Sequence, residues 1–340
     1  MLAPWIGFIS LIVLMLALDL GVFHRKDHQI SIREALGWSG IWITLGLAFS
    51  IFIYFAYEGK LFGLGLGIDP VDAKVNDGLS ALGKYLTGYV VEKSLSVDNI
   101  FVIAMIFTFF KVPGEYQHKV LFWGILGALI LRGVMILVGA QLIEAFHWIL
   151  YVFAAFLLFT GVKMLLTKEG HADPGNNPLL RFIRRILPVT DDFHGGRFTI
   201  RESELNPASA TPHPSGKRFL TPLALALIMV ESTDVVFAVD SIPAIFAITA
   251  DPFLVFTSNV FAILGLRSLY FALAGMIRKF RYLKVSLSVI LIVVGLKMAF
   301  AEVIKDYLGK SFNLVLLGLI VLILAAGIFA SIAADRKKAA

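Results

Sequence analysis

Five acids and five bases stand inside otherwise apolar stretches of the chain: Glu92, Asp98, Glu231, Asp234 and Asp240 against Lys93, Arg132, Lys163, Arg267 and Lys297. Each charge in a bilayer interior costs about 2.5–3.5 kcal/mol or more, so ten of them must pair or line a wet cavity. Glu231 and Asp234 are three apart, hence about 60° apart on one helix face. Asp240 is six beyond Asp234 and turns about 120° away, but Pro243 removes the hydrogen bond to the Val239 carbonyl. A helix break there would swing Asp240 inward and release backbone oxygens. With Asn99, Ser241 and main-chain carbonyls, the five carboxylates form an all-oxygen donor set suited to Mg²⁺, Ca²⁺ or Mn²⁺. The chain has no cysteine, which excludes thiolate metal sites, disulfides and thiol catalysis. His147 stands at a helix end, and Met105, Met164, Met229 and Met298 read as packing, so zinc, copper and cadmium are not the expected cargo. Arg132, Lys163, Arg267 and Lys297 read as charge-balancing or gating groups that clamp acids or helix ends, whereas Lys93 could snorkel outward.

The elements that position these groups follow from composition. The chain is 58% hydrophobic and 16% charged, with mean hydropathy +0.84, outside the range of soluble domains. Runs long enough to cross a bilayer lie at about 3–23, 38–57, 79–110, 120–143, 148–166, 221–249, 253–276, 285–301 and 312–333. The expected fold is therefore an all-α polytopic membrane protein of about nine transmembrane helices. With an external N-terminus, 20 of the 30 Lys and Arg fall in cytoplasmic segments and only Lys60, Lys74, Lys84, Lys305 and Lys310 outside. This bias predicts N-terminus outside and C-terminus cytoplasmic, and it assigns the net charge of +6 to the membrane face rather than to nucleic acid. The first span has no basic residue before it and Arg25, Lys26 and Arg33 after it, unlike a cleaved signal.

An internal repeat organises the middle of the chain. Glu92, Asp98 and Asn99 align with Asp234, Asp240 and Ser241, 142 positions on (92 to 234). Arg132 then aligns with Arg267, and Gly161 to Met164 (GVKM) with Gly295 to Met298 (GLKM). Each copy holds three spans, an odd number, so the second must lie inverted, as in many secondary transporters. The expected organisation is two N-terminal spans and an external Gly-rich loop over 1–78, the first repeat over 79–166 and a cytoplasmic linker over 167–220. The inverted repeat follows over 221–301, with a last span and basic tail over 302–340. The 58–78 loop reads as a flexible cover or re-entrant piece; its GLGLGID lacks the strand and helix of a phosphate-binding loop. In the linker, Arg181 to Leu187 suits a short surface helix, and His194-Gly195-Gly196 a hairpin turn. Asp19 is expected at the headgroups, and His171, His194 and His213 as solvated loop residues.

Val91 to Phe107 (VEKSLSVDNIFVIAMIF), Met229 to Thr249 (MVESTDVVFAVDSIPAIFAIT) and Ser258 to Phe271 (SNVFAILGLRSLYF) closely resemble the signature segments of the TerC family, and the length resembles its Alx-like branch. That resemblance implies a bacterial inner-membrane protein of metal homeostasis, with manganese export its leading activity. It places the transport acids on Glu92, Asp98, Glu231, Asp234 and Asp240. The expectation is thus a non-enzymatic exporter of Mn²⁺ working by alternating access, with metal–proton exchange possible because buried carboxylates bind protons readily. Ca²⁺ is the alternative cargo. The rival class is an assembly factor that supplies Mn²⁺ to secreted proteins, docked on the secretion machinery through the 167–220 loop. A third class, an intramembrane aspartyl protease, is disfavoured, because neither its Tyr-Asp nor its Gly-x-Gly-Asp context occurs. The only cofactor-like species expected is the transported ion itself; oligomeric state is not specified.

Overall fold

A computed structural model describes residues 2–23, 31–167, 177–205, 218–273, 282–301 and 312–339. His171 and His213 lie outside the described residues, as does the side chain of Asp19. Helices occupy all nine apolar stretches: α1 (Leu2–Phe23), α2 (Ile32–Glu58), α3 (Gly78–Phe109), α4 (Gly114–Ala145), α5 (Ile149–Leu166), then α8 (Pro222–Phe246), α9 (Pro252–Ile263) with α10 (Leu266–Leu273), α11 (Leu283–Ala299) and α12 (Phe312–Ala339). Between α5 and α8 lie the short helices α6 (Pro178–Ile186) and α7 (Glu202–Leu205). Among the described residues, six helices are long and apolar enough to cross a membrane. The molecule is a helical, multi-pass membrane protein.

The starts of these helices are written locally. Ser31, Asp77, Thr221 and Asp251 each accept a backbone N–H of the following first turn, and Pro222 and Pro252 take first positions where no N–H is needed. Trp5, Phe8, Phe49, Phe253, Phe256 and Phe261 interlock by ring contacts and seat α1 and α2 against α9. Gly46 admits the Tyr89 ring between α2 and α3, and Gly139 admits the Phe246 ring between α4 and α8.

Several expectations need correction. α8 continues through Pro243 to Phe246 instead of breaking at the proline. The break comes one segment later: the stretch read as a single span over 253–276 divides at Leu264–Gly265. Gly265 has φ +82°, and a Cβ there would meet the Trp42 side chain. A left-handed residue other than glycine costs roughly 1–2 kcal/mol before any clash. Gly265→Ala is therefore expected to lower the thermal stability of the purified protein by at least that amount, read by melting in detergent. Lys93 does not snorkel outward; its ammonium donates to the carbonyls of Ala262 (3.0 Å) and Leu264 (3.3 Å), released by the same break.

In the linker, α6 forms where a short helix was expected and buries Leu180 and Ile183 on the core. The turn at 194–196 does not join a hairpin. Its flanking strand β3 (Thr199–Arg201) pairs antiparallel with β4 (Arg218–Leu220), Ile200 opposite Phe219. His194, Gly195 and Gly196 all have positive φ, and the Gly196 carbonyl accepts from Lys119 of α4 at 2.8 Å.

Candidate cation site

Helix α3 sets Glu92 and Asn99, seven residues apart, on one buried face. Opposite it α4 presents Arg132, 2% exposed. The guanidinium holds Glu92 Oε1 through Nη1 and forks onto Asp234 of α8, Nη2 to Oδ1 at 3.1 Å and Nε to Oδ2 at 3.4 Å. Nη1 also donates to Ser241 Oγ at 3.1 Å. One base thus joins two acids and a hydroxyl from two helices, the two-pronged geometry that arginine favours. Glu231, one turn before Asp234, lies against Gly127 of α4, where any Cβ would collide with its carboxylate. Beside this group opens a small, mostly apolar cleft lined by Asn99, Ile103, Leu121, Val230, Thr233, Asp234 and Phe237, among others.

The remaining residues stand apart. Asp240 is half-buried on α8 and hydrogen-bonds Thr160 near Lys163 of α5, so it does not turn toward Asp234 as a helix break at Pro243 would require. Asp98 is half-buried on α3. Arg267 is buried beside Trp42, Phe122 and Gly265. Lys297 donates to the carbonyl of Ala247 at the end of α8. Among the described residues, no three acids or histidines are gathered closely enough to hold a metal ion. Met229 and Met298 are core packing.

A second polar cluster was not anticipated from the sequence. The 59–77 loop forms a two-residue ribbon, β1 (Ile68–Asp69) with β2 (Lys74–Val75), held by Lys84 of α3. Lys84 Nζ donates to Asp69 and Asp72 at 2.8 Å each and to Asn76 Oδ1 at 2.6 Å. Asp69 also accepts from Thr249 Oγ1 and from the Ala250 N–H at 3.0 Å, which ties the loop to the α8–α9 turn. Asp251 accepts from Tyr57 at 2.9 Å and Asn76 at 3.4 Å. The available signal was Lys84 itself, one lysine in an apolar stretch close to the loop's two aspartates.

Burial alone would push the Asp69 carboxyl up, but Lys84, Thr249 and the Ala250 N–H outweigh it and hold the carboxyl below its ordinary value of 3.8. Burial pushes Asp251 up, opposed by Tyr57 and reinforced by the Asp69 charge. The signs are opposite. Asp69 stabilises the fold above its ordinary value and loses that contribution as pH falls through the lowered one; Asp251 contributes most below 3.8 and less as pH rises through its raised value. Asp251→Asn is expected to flatten the gain in melting temperature between pH 7 and pH 4 that wild type draws from this group.

A bundle of long apolar helices that buries an Arg-bridged pair of carboxylates defines a class: helical, multi-pass integral membrane proteins that pair their costly charges inside the bundle. The family model for integral membrane protein TerC family matches residues 78–339. The chain belongs to the TerC family. It is 48% identical over 301 residues to an uncharacterised membrane protein, STKORF319, of Myxococcus xanthus, covering 88% of this chain and 84% of that one. Several relatives carry the name Alx, with a provisional assignment as membrane-bound redox modulators. The one from Photorhabdus laumondii is 44% identical over 336 residues (98% of this chain, 96% of the relative), and the one from Escherichia coli K12 is 46% identical over 299 (88% and 86%). No solved structure matches.

Proposed function

We propose that this protein exports a hard divalent cation, Mn²⁺ foremost, across the bacterial inner membrane by alternating access between two inverted three-helix repeats. The observation that carries the reading is Arg132 between Glu92 and Asp234. These two acids occupy matching positions in the proposed duplication, and the charge held between them is cationic. Two carboxylates match a divalent ion, so the guanidinium stands where the cargo's charge would be balanced. Binding then requires Arg132 to swing aside, and the departing ion hands the acids back to Arg132 or to protons. Asp98, Asn99, Glu231, Asp240 and Ser241 supply further oxygens along the route, with Lys163, Arg267 and Lys297 balancing charge.

The duplication draws support from α5 and α11. Gly161 is packed against Ser288 and Ile292, and Gly295 against Ala154 and Leu158. The offset of 134 that carries Gly161 to Gly295 also carries Ala154 to Ser288 and Leu158 to Ile292, so the two contacts exchange with each other. Nine spans, an external N-terminus and a cytoplasmic tail complete the reading. The redox name of the relatives has no thiol to act through here, since cysteine is absent.

The test is elemental analysis of manganese in manganese-loaded, exporter-deficient cells expressing wild type, Asp98→Ala or Asp240→Ala at equal membrane levels. Export predicts a fall in cell manganese with wild type alone. No fall with wild type would overturn it in favour of Ca²⁺ as cargo or of the assembly-factor role.

A further inference from the structure

Five side chains carry buried polar atoms without a hydrogen-bonding partner among the described residues: His194 Nε2 in the linker, and the Tyr89 hydroxyl, Glu92 Oε2, Ser96 Oγ and both amide atoms of Asn259 in the bundle. Glu92 is 0% exposed, Ser96 and Asn259 1% each. Buried polar atoms are nearly always satisfied, and each failure costs about 1–3 kcal/mol. Four of these atoms, on Glu92, Ser96 and Asn259, stand on two adjoining helices and call for a common explanation.

The helices place them together. α9 lies along α3, with Ser258 Oγ against Gly88 and the Ala262 carbonyl on Lys93, and along α4, with the Phe256 ring against Gly133. Asn259 is three residues from both Ala262 and Phe256, about 60° from each, and so points into the groove between α3 and α4. On α3, Glu92 and Ser96 fall within about 60° of one another, between Gly88 and Lys93, which both meet α9, whereas the Tyr89 ring turns to Gly46 of α2. Arg132, which takes the other oxygen of Glu92, adjoins Gly133 on the same groove.

Resting on the export reading, we infer that Asn259 is a neutral ligand of the transported cation: its amide oxygen and Glu92 Oε2 form one binding position, with the Ser96 hydroxyl one turn along α3 as a step of approach. Carboxylate, amide and hydroxyl oxygens together suit a hard divalent cation that keeps part of its water. A neutral oxygen lets the ion bind without adding a charge that must be buried when it leaves.

The test is Mn²⁺ binding to the purified full-length protein in detergent, with unbound Mn²⁺ read by its electron paramagnetic resonance. Asn259→Ala is expected to weaken binding about tenfold, equivalent to about 1.4 kcal/mol, without lowering the melting temperature, since it removes two unpaired dipoles. Asn259→Asp keeps an oxygen in place and is expected to retain binding and to gain more melting temperature from Mn²⁺ than wild type does. Wild-type affinity in Asn259→Ala, alongside lost binding in Glu92→Gln, would remove Asn259 from the site and leave the acidic site standing. Loss of binding in both Asn259 variants, each monodisperse, would likewise reduce the residue to packing. Absence of Mn²⁺ binding in wild type would overturn the inference together with the export reading on which it rests.

Discussion

Arg132→Ala is expected to destabilise the fold by about 3–5 kcal/mol, the range for removing one partner of a buried ion pair. The cost is large because the change strands two carboxylates at once: Glu92, wholly buried, and Asp234, 14% exposed at its side chain. Arg132→Lys recovers little, because a point ammonium cannot reproduce the fork onto Asp234 while also reaching Glu92 and Ser241. Melting in detergent with and without MnCl₂ checks both halves of the argument. If the guanidinium balances the charge that the cargo balances during transport, millimolar Mn²⁺ should restore much of the stability lost in Arg132→Ala and add less to wild type. A variant that melts like wild type would show the bridge to be dispensable. One that melts low and ignores Mn²⁺ would make it purely structural.

Lys84→Met is expected to have the next largest effect. The lysine holds two aspartates and an asparagine, and Asp69 is wholly buried with it. Methionine keeps the stem's packing but leaves the Asp69 charge without its cation, again about 3–5 kcal/mol. The loss should be local before it is global. The 59–77 loop loses the anchor that ties it to Thr249 and Ala250, so proteolysis within the loop should speed up by tenfold or more while the helices stay protected. Lys84→Met with Asp69→Asn should recover most of the loss, because the stranded charge is then gone. Unchanged cleavage in the single variant would mean that the ribbon and the Asp251 corner hold the loop unaided.

The helices were legible because an apolar run of about 20 residues admits few other structures, and each of the nine runs is helical. The Glu92–Arg132–Asp234 group was legible as a need: charges so costly must meet, though not which would meet which. The break at Leu264–Gly265 was hidden because hydropathy reads straight through it, and glycine inside a span is ordinary. Pro243 misled for the opposite reason. A proline is a conspicuous breaker, but here the helix ends within a turn of it, and few bonds are left to disturb. The Lys84 cluster gathers the loop residues Asp69, Asp72 and Asn76 with Thr249, 180 positions beyond Asp69. Only the folded chain brings such partners together. Asn259 escaped notice because a single amide in an apolar run carries no charge to flag its cost.

The Lys93 contacts have a mechanical consequence. Lys93 clasps the end of α9, Ser258 presses on Gly88, and the Lys84 cluster ties the start of α3 to the turn that leads into α9. Three fastenings along their length make these two helices a single strut, although each belongs to a different copy of the proposed duplication. Any motion that opens the bundle must carry them as one piece. A rocking of the bundle would therefore divide it along seams that cut across the boundary between the two proposed copies.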